Sequence, residues 1–368
     1  MDRPHAHRSR SILLLAVLVA LAGELAAGVL LDRAPLHIRF PAAARIVNSL
    51  QRLKSAKNIL FFGSSRFGND VNAETVTREL RAAGVGDGAS VFNAFVTAGD
   101  PVAMEFLTDK LLAADIRPSI AVIELLPEVL ARRNLWLHFH LARQFRWPEV
   151  WKTLPEAYRS GKLSTVIAAR IMPVYLFRGE LQRWALQVLN PSSSPSTLEG
   201  ENTPPRQQAP VDADTLQEGA VKARRILRDF KIGGLSAQAL ERLLERLRIS
   251  GAIVVLVGPP ITSPYRRAHQ APVEAAFLSY MQRLGEKYGA RFFDYRDRLA
   301  DDRFYTRYYA TTDGSVHFSR LLAREVLVPL LARTDDEKRS APELSPDAPA
   351  KPGIAAGVAP EIGPRRGG

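Results

Sequence analysis

Three side chains, drawn from opposite ends of the sequence, could do chemistry together. Asn58–Asp70 reads NILFFGSSRFGND. Its run Ile59, Leu60, Phe61, Phe62 is continuously apolar, as in a short strand buried on both faces of a parallel sheet. Gly63-Ser64-Ser65 ends that run and sets a serine hydroxyl at the carboxyl edge of the sheet, where open α/β sheets place their sites. A serine hydroxyl attacks an ester only when a base takes its proton. The candidate base, His317, arrives about 250 residues later in Thr312-Asp313-Gly314-Ser315-Val316-His317-Phe318-Ser319, just before an amphipathic helix. Asp313 lies four residues earlier, a spacing that shares a helical face, and would orient the imidazole and stabilise its charged form. The competing reading makes Ser64 or Ser65 a cap for helix N–H groups and His317 an ordinary loop histidine.

The elements needed to position these groups alternate along the chain. Beyond the first strand, Ala89–Val96, Ser119–Leu125, Ala252–Gly258 and Arg291–Tyr295 read as strands. Helical spacing marks Ala73–Ala83, Val102–Asp115, Ser236–Ile249, Val273–Tyr288 and His317–Arg333. Alternation of this kind predicts a mainly parallel five-stranded sheet in a three-layer α/β/α sandwich. A helical insertion, Pro127–Asn190, carries Trp136, Trp147, Trp151 and Trp184; these cap the cleft, meet a membrane partner or serve ordinary helix packing. Asn190–Asp214 is rich in Pro, Ser and Gln and reads as a disordered linker, and Thr334–Gly368 as a disordered Pro-rich tail.

Together the serine turn and the histidine motif resemble the SGNH (GDSL-like) hydrolase superfamily over roughly Lys57–Arg333. They are most similar to the membrane-anchored bacterial branch that carries Gly-Ser-Ser-Arg in place of Gly-Asp-Ser. The resemblance implies an SGNH/flavodoxin-like sandwich and serine acyl-ester chemistry, hydrolytic or O-acyl-transferring, on a cell-envelope or exported polysaccharide, without a cofactor. It maps the nucleophile, third in its turn, onto Ser65. Oxyanion donors would be the Ser65 N–H and Gly99, in Phe92–Asp100. Two features depart from the pattern. Asp313 and His317 are separated by three residues instead of the usual two. The asparagine expected after the third strand is absent from Glu124-Leu125-Leu126-Pro127-Glu128, leaving Asn93 or Asn134 to substitute. Arg66 pairs either with a substrate carboxylate or phosphate or with Asp70. These departures keep open a catalytically inactive scaffold of the same fold, partnering a membrane-bound acyltransferase through the tryptophan-rich insertion.

Composition narrows the classes. The chain has 368 residues and no cysteine, which excludes disulfides and thiolate zinc sites. His138 and His140 lack a nearby carboxylate to complete a metal site. The net charge of +12 is scattered and forms no basic block, so it suits anionic lipid or glycan better than nucleic acid. Met1–Arg10 is basic, and Ser11–Leu31 holds 21 residues with Glu24 as the one charge. About 20 apolar residues cross a bilayer, and basic residues before the span keep the N-terminus inside. The expected arrangement is a single-pass anchor in the inner (plasma) membrane, a juxtamembrane segment at 32–56 and a periplasmic domain. A cleaved signal peptide is the alternative.

Overall fold

The computed structural model of the protein describes residues 4–53, 55, 57–132, 147–159, 161, 163–189 and 209–333. The proposed tail, most of the proposed linker, Asn134, Trp136, His138 and His140 lie outside the described residues.

A long first helix, α1 (Pro4–Arg33), runs into a single turn, α2 (Leu36–Arg39), and then α3 (Pro41–Leu53). The domain follows as β1 (Lys57–Phe62), α4 (Ser65–Asp70), α5 (Ala73–Ala82), β2 (Ala89–Asn93), α6 (Pro101–Ala113), β3 (Pro118–Glu124) and α7 (Pro127–Leu130). Among the described residues the insertion continues as α8 (Trp147–Arg159), α9 (Leu163–Ile171), α10 (Pro173–Leu176) and α11 (Arg178–Leu189). The chain returns through α12 (Ala213–Ile226), α13 (Gly234–Ile249), β4 (Ile253–Gly258), α14 (Ser263–Arg267), α15 (Ala271–Tyr288), β5 (Arg291–Asp294) and α16 (Thr312–Leu322).

All four strand pairings are parallel, in the order β2-β1-β3-β4-β5. Alternate strand residues enter two separate apolar clusters, as the two-residue period of a strand requires. Leu60, Phe62, Ala121, Ile123 and Leu256 pack with α3, α6, α13 and α15. Ile59, Phe61, Val122, Val255 and Val257 pack with α5 and α16. The continuous apolar runs of the central strands follow from this two-sided burial.

Helix starts were written in side chains that accept from the orphan N–H groups of the first turn. Asn72 caps α5 through Thr75 N at 2.8 Å, and Asp100 caps α6 through Ala103 N at 2.9 Å. One start lies well away from the expected one, and one helix opens where only a linker was expected. Thr311 caps Gly314 N at 3.1 Å, so α16 begins at Thr312 and His317 falls in its second turn instead of ahead of it. Asp212 accepts from Thr215 N at 2.7 Å and opens α12 at the end of the stretch read as linker.

Among the described residues, one helix is long and apolar enough to cross a membrane. Its Ser11–Leu30 stretch has a mean hydropathy of 2.5 and is almost wholly exposed.

Candidate functional site at the sheet edge

β1 delivers Gly63, Ser64 and Ser65 to its carboxyl end, and the two serines then part in role. Ser64 is the N-cap of α4: its Oγ accepts from Arg66 N at 3.1 Å. That hydroxyl also lies 3.0 Å from both oxygens of Glu124, and the Ser64 N–H donates to Glu124 Oε2 at 2.6 Å. Gly63 is the residue that fits here, because a Cβ would stand 2.5 Å from that Glu124 oxygen and 2.7 Å from Phe67 Cβ. The Ser65 hydroxyl instead faces a cavity and shares a 3.0 Å hydrogen bond with the Tyr309 hydroxyl, in which either can donate.

The cavity holds about 310 Å³. Ser64, Ser65, Thr97, Ala98 and Gly99 are among its lining residues. Leu126 and Val129 give it an apolar patch, and Tyr265, Tyr308 and Tyr309 an aromatic one. Arg66, Lys222, Glu124 and Glu128 supply its charge. Asp313 and His317 are not among its lining residues.

The segment ahead of α16 is what closes over Ser65. Tyr305 donates to Asn69 Oδ1 at 3.0 Å, and the Ala310 N–H donates to Asp70 Oδ1 at 2.8 Å. With the Ser65–Tyr309 bond, these stitch residues 305–310 onto α4. Phe318 and Leu322 point into the core on the buried side of α16, and Ser319 Oγ accepts from Asn72 N at 2.8 Å. His317 is therefore turned to the flank. Burial, then the charges of Arg303, Arg320 and Arg298, hold its imidazole below the ordinary histidine value. Asp313 is exposed. It forms no ion pair with His317 among the described residues, although the two share a helical face as expected.

Two further expectations meet different geometry. The Gly99 N–H donates to Val96 O at 2.7 Å, closing the turn that follows β2, so the backbone has already used the proposed oxyanion donor. Gly99 still lines the cavity, packed so closely on the Gly63 carbonyl that a Cβ would overlap it. Asn93 is not among the residues that line the cavity. It is 7% exposed, and its Nδ2 braces α4 through Phe67 O at 2.8 Å and Val71 O at 3.1 Å.

Electrostatically the floor of the pocket is a set of buried carboxyls around one guanidinium. Burial raises Glu124 from its usual value, against the pull of Arg66 and the Ser64 bonds. Burial drives Asp70 well above its usual value, with the Ala310 N–H and Arg66 opposing. Glu128 goes the other way. Although burial pushes it up, His269 at 2.8 Å and then Arg66 bring it to about 2. His269 is correspondingly raised: burial lowers it, but Glu128 and Glu274 outweigh that. Among the described residues no cluster of His, Cys, Asp or Glu is placed to hold a metal ion.

The sequence reading missed Tyr309, Tyr308, Tyr265, Lys222 and Glu128. A signal for the first two existed: Tyr305-Thr306-Arg307-Tyr308-Tyr309 stands directly before the histidine motif. Nothing local marks Tyr265 or Lys222, which reach the site from α14 and α12. No family model matches the chain, and no curated protein matches it.

Proposed function

We propose that the protein is a membrane-tethered, extracytoplasmic serine esterase or O-acyltransferase of SGNH-like three-layer fold, acting on acyl esters of a cell-envelope or exported polysaccharide. The observation that carries this reading is the division of labour between adjacent serines. Both serines line the cavity at the sheet edge, but the Ser64 hydroxyl is engaged by its cap and by Glu124, whereas the Ser65 hydroxyl is in contact with a second hydroxyl, Tyr309.

In this reading Ser65 Oγ bonds to the acyl carbon and the ester C–O bond breaks. The Ser65 proton passes through the Tyr309 hydroxyl to the departing oxygen. Water or a polymer hydroxyl then takes the acyl group and returns a proton to Ser65. The Ser65 N–H, which as the first of α4 has no intrahelical bond, faces the developing oxyanion. Tyr309 thus occupies the place given in the sequence reading to His317.

A fluorophosphonate probe tests the nucleophile. Wild-type protein is expected to be labelled, and Ser65→Ala to lose the label. Undiminished labelling of Ser65→Ala rules Ser65 out. Reporter fusions after Arg333 test the topology, and activity confined to the cytoplasm would overturn it.

A second reading is favoured by the exposed Asp313 and the arginine-flanked His317: a non-catalytic scaffold for a membrane-bound acyltransferase. Under it, Ser65→Ala and His317→Ala leave polymer acylation in cells intact, while deletion of residues 134–184 abolishes it.

A further inference from the structure

Arg66 lines the same cavity as Ser65, and two of its buried donors are unbonded. It is 8% exposed, and its Nε and Nη1 are buried without a hydrogen-bond partner. Its guanidinium lies over the rings of Tyr265 and Tyr308, 5.6 and 5.7 Å from their centroids. A buried charge is costly unless it is paired and hydrogen-bonded. The neighbouring carboxyls do not close on it. Glu124 is bonded to Ser64, Glu128 to His269 through Oε1, and Asp70 to the Ala310 N–H through Oδ1, and no carboxylate makes an ion pair with Arg66 among the described residues. Asp70 Oδ2 and Glu128 Oε2 are likewise without partners, so the floor is not a closed network. A second cation, Lys222, stands over the same Tyr308 ring at 5.4 Å and lines the same cavity.

We propose that Arg66 and Lys222 form a subsite for an anionic group, a carboxylate or a phosphate, so that the ester presented to Ser65 is carried by an acidic sugar. The planar guanidinium accepts either anion through paired N–H donors. This substrate class rests on the reading of Ser65 as nucleophile, and the test separates the two.

Glucuronic acid, glucose 6-phosphate and glucose are each used to protect Ser65 from the fluorophosphonate. At least one acidic sugar is expected to half-protect at a concentration about tenfold below that of glucose, a preference of ~1.4 kcal/mol. Lys222→Met and Arg66→Met should each lose that preference. The lysine variant keeps the test decisive if the buried arginine proves necessary for folding. The two acidic sugars, compared with each other, decide between carboxylate and phosphate. Equal protection by all three overturns the subsite while leaving Ser65 as nucleophile. If Ser65 is never labelled, the nucleophile reading falls, and tyrosine fluorescence titrated with the same sugars judges the subsite alone. A glucuronate or glucose 6-phosphate preference that Lys222→Met abolishes supports it, and no preference overturns it.

A separate observation concerns the insertion. Helices α9 and α10 pack against α1, and Glu24 Oε2, within the apolar stretch, accepts from Val174 N at 3.2 Å. The same helices expose Ile167, Ile171, Met172 and Val174, and α11 exposes Leu186 and Leu189. Because this apolar face is continuous with the helix that can span a membrane, we infer that lipid covers it: the insertion lies in the bilayer interface at the end of α1. The chain has no cysteine, so each introduced thiol is unique. Full-length Ile171→Cys, Leu189→Cys and, as control, Val221→Cys are labelled with an environment-sensitive dye and placed in vesicles containing spin-labelled lipid. The first two should shift to the blue and lose emission to the spin label, and the third should not. Loss of emission equal at all three positions, or absent at 171 and 189, overturns the inference.

Discussion

Ser65 and His317 sit on two helices, α4 and α16, that touch through Phe67 and Phe318, whose ring centroids are 6.5 Å apart. The surroundings of the two polar residues could hardly differ more. Around Ser65, buried carboxyls fix the backbone turn, three tyrosines wall the space, and a guanidinium with two unbonded donors lines the same cavity. Around His317, three arginines and solvent surround a ring that bonds neither Ser65 nor Asp313. Enclosure, more than the presence of a particular residue type, distinguishes a place where charge can be organised from one where water screens it.

That contrast can be broken or sharpened by substitution. The largest effect is expected at Gly99→Ala, whose Cβ would run into the Gly63 carbonyl at the mouth of the cavity. Overpacking against backbone should cost about 3 kcal/mol, read as a lowered urea midpoint. Glu124→Ala comes next. It strands the Ser64 N–H and removes a carboxylate facing Arg66, a loss of about 2 kcal/mol, and labelling of Ser65 should fall with the turn. At the other region, His317→Ala should change stability by no more than about 0.5 kcal/mol and leave Ser65 labelling unchanged. A His317→Ala protein that loses labelling would make the two regions one site.

Within the Ser65 region the buried carboxyls part from one another in their response to pH. Glu128 and Glu274 are both held near pH 2, Glu128 by His269 and Arg66, Glu274 by His269, Arg296 and Arg266 against their burial. Their folded values lie below the unfolded one, so they stabilise the fold above about pH 4.5, and that contribution drains away as pH falls toward 2. Asp70 has the opposite sign, because its folded value is raised: its contribution is full at low pH and is lost as pH rises. Asp70→Asn, which keeps an acceptor for Ala310 N, should therefore lose less stability between pH 4 and pH 8 than wild type, as judged by urea midpoints. A steeper loss in the variant would reverse the assignment.

Much of the scaffold was legible because it rests on local pattern. The apolar runs of β1, β3 and β4 announce two-sided burial, and the strands fall where their composition places them. The start of α16 was set by a single capping side chain, Thr311, and α12, a helix that was not expected at all, opens on another, Asp212. The serine turn was legible for the same local reason. The remainder of the pocket was not, since Tyr265, Lys222 and Glu128 share no sequence neighbourhood and only the folding of α14, α12 and α7 over the sheet edge collects them. A motif fixes residue order and not the azimuth of a helix: Phe318, next in line, takes the core, and His317 is not among the residues that line the cavity.

The short passage from α1 to the domain has a consequence of its own. Only Ala34 and Pro35 separate α1 from α2, and Phe40 separates α2 from α3, whose Ala43, Ile46, Val47 and Leu50 are sealed into the core. With α1 in a bilayer, such a joint gives the domain almost no leash. A flexible tether of some tens of residues would let it patrol a wide shell of space. This one holds it at a nearly constant height, so on the proposed reading a substrate would meet Ser65 close to the membrane surface.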